Sequence, residues 1–203
     1  MSRRTVVADR PGNRYNAAMT FVTELSAPSF LIAVPQLGDP NFVRTVVFII
    51  EHGDHGSMGL VISRASDLTM GTFCGSVGLE FRGDVEEAVY FGGPVQTERA
   101  FILHSSGPKG PETEEVLEGV SMSYSIESLR MLSEEPTDEL RVYLGYAGWG
   151  PGQLAAELQE GAWLVHEASA DLVFATPERD PWSEALHQMG IDPAQLMHSS
   201  QTH

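Results

Sequence analysis

Apolar and polar positions along the 203-residue chain recur on two periods, and the switches between them divide it into elements. Residues 30–34 form an unbroken apolar run ended by Pro35 and predict a short strand. Residues 45–50 are β-branched or apolar on both faces, which predicts a central strand covered from two sides. A loop over 52–56, with two glycines and Asp54, leads hairpin-fashion into a second strand at 60–62. From Asp67, a good cap, the period changes, and Met70, Phe73, Cys74 and Val77 share one helical face. Gly71 and Gly75 interrupt that helix and are read as points where a neighbouring element comes close. Strands follow at 88–91 and 100–104, joined through Gly92, Gly93 and Pro94. The region 105–118, rich in glycine, proline and glutamate, reads as a long surface loop.

A helix is expected from a Ser125 cap, with Ile126, Leu129 and Leu132 inward and Pro136 beyond its end. Leu140, Val142 and Leu144 then alternate at period two, and the strand runs into Gly145, Gly148, Gly150 and Gly152. Pro151 suits a first helical position, and Leu154, Ala155 and Leu158 supply a stripe closed by Gly161, so a strand-to-helix turn is predicted over 145–152. A strand at 163–165 and an apolar run at 172–174 precede a helix opened by Asp180 and Pro181. Its apolar face is Trp182, Ala185, Leu186 and Met189. Hairpins mixed with helices predict an α+β fold rather than a regular parallel sheet. The expected organisation is one domain over 19–203 behind a flexible N-terminal arm, residues 1–18, with Met19 as a second candidate start.

Charge narrows the functions open to such a domain. Twelve bases face 28 acids for a formal charge of -16, and four of those bases, Arg3, Arg4, Arg10 and Arg14, sit in the arm. So acidic a body repels phosphate backbones, and direct DNA binding is not expected. Cys74 is the only cysteine, which excludes an intrachain disulfide and fits a reducing cytoplasm. No apolar run approaches the length of a membrane span, and a cytoplasmic protein is expected.

Candidate chemistry gathers at few places. The helix start after the glycine turn offers free amides to an anion, which makes Gly148, Gly150 and Gly152 candidate ligand residues. Trp149 is a stacking platform or a lid on the core beneath them. His52 and His104 are further candidates, the first beside Glu51, Asp54 and His55, the second at a strand end. That loop specifies no complete metal set, and no metal or cofactor is predicted. Cys74 on an apolar face reads as an inert buried thiol, and Gly75-Ser76-Val77-Gly78 is one residue short of a nucleophile elbow. No catalytic residue is assigned.

Several stretches together resemble one family. FLIAVPQLGDPNFVRTVVFIIEH at 30–52, GSMGLVISR at 56–64, VYFGGPVQTERAFILH at 89–104 and LGYAGWGPGQL at 144–154 occur in order, followed by AWLV and ADLVF. In this combination they resemble the AlgH/YqgE family of bacterial proteins. The resemblance implies an α+β domain whose bent, bifurcated mixed sheet closes into a pseudo-barrel flanked by helices. The family is labelled a transcriptional regulator without an established catalytic site or DNA-binding surface. The tail MHSSQTH departs from the Gly-His-Ala ending associated with it. The leading expectation is a non-enzymatic binding or regulatory protein acting through a protein partner. The alternative is a small-molecule or nucleotide-binding protein, or an enzyme, built on the turn at 145–152.

Overall fold

In a computed structural model, residues 25–105, 110–175, 180–194 and 196 are described. The arm, the start at Met19 and the tail from residue 197 lie outside them. Among the described residues, ten strands form one curled, mixed sheet that makes a half-barrel with five helices against it. The main path runs β10 (Trp163–Glu167), β1 (Ser29–Ala33), β2 (Val46–Gly53), β3 (Gly56–Val61), β9 (Leu140–Trp149), β6 (Val95–His104), β8 (Val120–Ser123) and β7 (Thr113–Leu117). A branch, β4 (Ala65–Thr69) with β5 (Ala88–Phe91), joins β9 through the one parallel pairing, Tyr90 with Tyr143 and Phe91 with Leu144.

The apolar pattern explains this layering. On β1 and β2, Phe30, Ile32, Val46 and Phe48 enter one core while Leu31, Ala33, Val47 and Ile49 enter another, so both faces are covered as the continuous run implied. Helix α5 (Pro181–Gln188) and the single turn α4 (Ala170–Val173) close the first core through Leu172, Val173, Trp182, Ala185 and Leu186. Trp182 is fully buried and its indole N–H donates to the Ala33 carbonyl at 2.7 Å. The buried guanidinium of Arg141 ties α4 to the sheet by donating to the carbonyls of Val173 at 2.9 Å and Ala175 at 2.6 Å. Helix α3 (Gln153–Gln159) covers the second core through Leu154. A third cluster joins α1 (Met70–Ser76) and α2 (Ile126–Glu134) to β6 and β9 through Met70, Cys74, Ile102, Leu129, Leu132 and Val142.

Several expectations need correction. The first helix is capped by Thr69, whose side chain accepts from the Thr72 amide, because Asp67 is taken into β4. Gly71 meets Val85 closely, as expected, but a Cβ at Gly75 would enter open space. Ile126 points outward at 55% exposure, and Leu129 and Leu132 alone of the three are buried. The stretch expected as a loop over 105–118 contains β7, which pairs with β8 through a tight turn at Gly119, where φ is 78°. Glutamates on its exposed face hid the strand, since they protect an edge rather than fill a core. Strand β6 starts at Val95, five residues before the predicted position, because Gln96 to Arg99 are exposed and polar. The predicted turn at 145–152 is shorter: β9 continues through Gly145 and Gly148 to Trp149, and α3 begins at Gln153 behind a left-handed Gly152 rather than at Pro151.

The glycines are required where the sheet branches. A Cβ on Gly92 would lie 2.2 Å from the Gly145 oxygen, and one on Gly93 would lie 2.1 Å from the Tyr146 carbonyl carbon. Opposite Gly145, whose φ is 72°, β6 carries a long irregularity: Val95 pairs with Tyr146, and pairing resumes only at Ala100 with Leu144. Gly93→Ala should cost more than about 3 kcal/mol, whereas Gly75→Ala should stabilise by up to about 1 kcal/mol. Urea unfolding of the two variants checks both signs. The half-buried carboxyl of Glu87 is pushed up by burial, with the Arg141 charge opposing the shift. The native state therefore holds that proton more tightly than the unfolded chain, and ionisation costs stability as pH rises through the carboxylate range. Glu87→Gln should be more stable than the parent at neutral pH, and the gain should vanish below about pH 4, in unfolding curves at both pH values.

Candidate functional site

One face of the sheet is left open beyond the edge of the first core, and there it forms a groove of 580 Å³. Registers explain how distant residues meet in it. Met58 stands opposite both Glu51 and Gly148, and Met122 stands opposite both Leu103 and Glu114, so the lining rows cross the sheet from β2 to β7. The floor is apolar and aromatic, with Met58, Val95, Phe101, Met122, Tyr146 and Trp149. Phe101 packs edge-on against Tyr146 with ring centres 5.9 Å apart. The β6 irregularity sets Arg99 over this floor, 5.1 Å from the Phe101 ring centre and 5.5 Å from that of Tyr124. Two rings hold the guanidinium by cation–π attraction, which leaves its donor fork unspent. Arg99 makes no ion pair or hydrogen bond with the described residues, nor do the carboxylates of Glu51 and Glu114 at the two ends of the groove.

The predicted site residues fall in four places. Gly148 and Trp149 line the groove. Gly150 and Gly152 lie in the exposed turn behind it, where the Gly150 amide already donates to Gln153 Oε1 at 3.1 Å. His52 is exposed and its Nδ1 lies 2.7 Å from Ser57 Oγ, a cross-strand pair in the hairpin, and His55 rather than His52 faces the groove. His104 is fully buried, with Nδ1 2.9 Å from the Ser105 carbonyl and Nε2 3.1 Å from Ser123 Oγ. It locks β6 to β8 and does not reach the groove. Arg99, Tyr124 and Glu114 were not among the candidate residues, Glu51 entered only as a neighbour of His52 in the candidate loop, and Tyr146 only as part of the stretch 145–152. Strand register together with the irregularity in β6, both invisible in the spacing, brings them together.

Trp149 is both wall and core. Only 6% exposed, it stacks on Phe42 at 6.0 Å and meets Trp163 at 6.1 Å. Glu157 Oε2 accepts from both indoles, at 2.9 Å from Trp149 and 2.8 Å from Trp163, while Oε1 accepts from Gln153 at 3.0 Å. Glu157 of α3 thus holds the indole in place. Elsewhere, Cys74 is buried beside the Ser133 hydroxyl, and burial pushes its thiol up, away from the reactive thiolate. Among the described residues no three His, Cys, Asp or Glu side chains are grouped to hold a metal ion, and no helix is long and apolar enough to cross a membrane.

A branched, curled sheet with helices on its faces and an open groove at its branch point defines a distinct α+β class, and comparison with known proteins identifies it. Residues 30–194 match the AlgH-like family, and the chain belongs to that family. It is 45% identical over 172 residues to a UPF0301 protein of Myxococcus xanthus, covering 84% of this chain and 94% of the other. A UPF0301 protein of Thioalkalivibrio sulfidiphilus is 42% identical over 166 residues, covering 80% and 89% of the two chains. The solution structure of the AlgH protein from Pseudomonas aeruginosa superposes with a TM-score of 0.71 at 36% identity, covering 89% of this chain and 95% of that one. The protein DIP2367 of Corynebacterium diphtheriae shares the fold at 22% identity, with a TM-score of 0.70 over 85% and 92% of the chains.

Removing the Glu157 carboxylate should strand two indole donors. Glu157→Ala is expected to cost about 2–4 kcal/mol in urea unfolding, with a red-shifted tryptophan emission as the ring of Trp149 loosens toward the groove.

Proposed function

We propose that the chain is a non-enzymatic binding protein with a regulatory role, and that it acts through a protein partner seated in the groove. The observation that supports this reading is Arg99: a cation in a strongly acidic protein, pre-set on two aromatic rings above an apolar floor, with its hydrogen-bonding fork unspent. Anchoring rings and methionines around a charged group are what a protein partner uses, because apolar area supplies affinity and the charge sets orientation. Cys74 and His104 do not form a reactive pair, since both are buried and each is bonded to a different serine, Ser133 and Ser123. Direct contact with nucleic acid is disfavoured by the charge of -16.

The test is affinity capture with the full chain from extract of its own cells, comparing the parent with Met58→Arg and Arg99→Glu. A partner retained by the parent and depleted about tenfold by both variants is expected, since each change removes a central contact. Equal retention by all three overturns the reading. So does a nucleotide or metabolite that raises the melting temperature by about 5–10 °C in the parent and not in Met58→Arg, which would establish the small-molecule alternative. Duplex DNA should not bind at physiological salt, and sub-micromolar, salt-sensitive binding in an anisotropy titration would contradict that expectation.

A further inference from the structure

Resting on that reading of the groove, the geometry points to the chemistry of the partner: an extended segment, apolar for most of its length, with a basic side chain toward each end and an acidic one between. Three charged groups of the lining carry the inference, and each is free of an ion pair among the described residues. Their order across the sheet is Glu51 on β2, Arg99 on β6 and Glu114 on β7, with the cation between the two anions. Strands in a sheet lie about 4.8 Å apart, and the three groups are also staggered along them, Glu51 level with Gly148 of β9, Arg99 near Leu144 to Tyr146 and Glu114 level with Arg141, so Glu51 to Arg99 and Arg99 to Glu114 each span roughly 17 Å of sheet. An extended chain advances about 3.4 Å per residue, which spaces the complementary charges about five residues apart on each side and makes the segment about eleven residues long. Curling of the sheet shortens these spans and does not change their order.

The groups between the charges suit the same occupant. Met58, Tyr146 and Met122 lie along the line from Glu51 to Glu114 and offer adaptable apolar contact to aliphatic side chains. Arg99 is fixed over Phe101 and Tyr124, so an acidic group meeting it would gain a bidentate pair without first ordering a long flexible side chain. The ring of Tyr124, exposed and 5.5 Å from the Arg99 guanidinium, adds to the apolar lining beside the cation. The charge of -16 on the whole chain draws a segment with net positive charge from a distance and repels one with the inverse pattern.

The probes are two synthetic peptides of about eleven residues with the same aliphatic residues. One has lysine at each end and aspartate in the middle, and the other has glutamate at each end and lysine in the middle. Binding to the full chain is followed by calorimetry and by emission of Trp149, the one tryptophan that lines the groove. The parent should prefer the first peptide by about tenfold or more, more strongly at low salt. In a variant carrying Glu51→Lys, Arg99→Glu and Glu114→Lys the preference should invert, which loss of folding cannot imitate. If both peptides bind the parent equally and Met58→Arg blocks both, the groove remains a docking site and the charge pattern is wrong. If neither peptide binds and the methyl signals of Met58 and Met122 stay unmoved, the docking reading falls with it.

Discussion

The structure depends on the close backbone approach at the branch of the sheet, where Gly92 and Gly93 cross Gly145 and Tyr146. Strand β9 pairs with β6 along one edge and divides its other edge between β5 and β3. A chain can leave one partner for another only where backbones touch without side chains between them, and Gly92 and Gly93 are both fully sheltered there. Everything downstream follows. The branch turns a flat sheet into a half-barrel, separates the clusters packed on β9, and forces β6 to bulge where Gly145 faces it.

That bulge is also the origin of the groove. A regular β6 would keep residues 96–99 in register with β9 and deny Arg99 its place over Phe101 and Tyr124. The wall opposite is kept rigid from below, since Glu157 ties two indoles to one oxygen and Phe42 packs against both. A groove with a fixed wall and a pre-set cation suits a receptor: orientation comes from the charged groups, and affinity from the apolar floor.

Much of the fold was readable along the chain, and the missed strands have two causes. The doubly apolar strand at 45–50 is buried on both faces through Val46, Val47, Phe48 and Ile49, and the last helix buries Trp182, Ala185 and Leu186 as its period required. Strands β4, β7 and the first half of β6 escaped because they carry exposed polar positions and no fully buried apolar residue, and β8 because its four buried residues, two of them serines, are too few to show a period. The site was read from Gly148, Trp149, Gly150, Gly152, His52 and His104, of which only Gly148 and Trp149 line the groove. His104 was misleading for a physical reason: a strand-end histidine looks exposed in sequence, yet the hairpin of β7 and β8 closes over it.

Sequence alone determined the fold family, the α+β class, the covered strands and helix faces, and the acidic charge. These are written in local period, in capping residues and in motifs whose order along the chain is itself informative. Only the tertiary structure decided which residues share the groove. Glu51, Arg99 and Glu114 are far apart in sequence and on three strands, and their meeting depends on register, on a bulge and on a branch point. Those are properties of pairing between strands, and a pattern read along one strand cannot contain them.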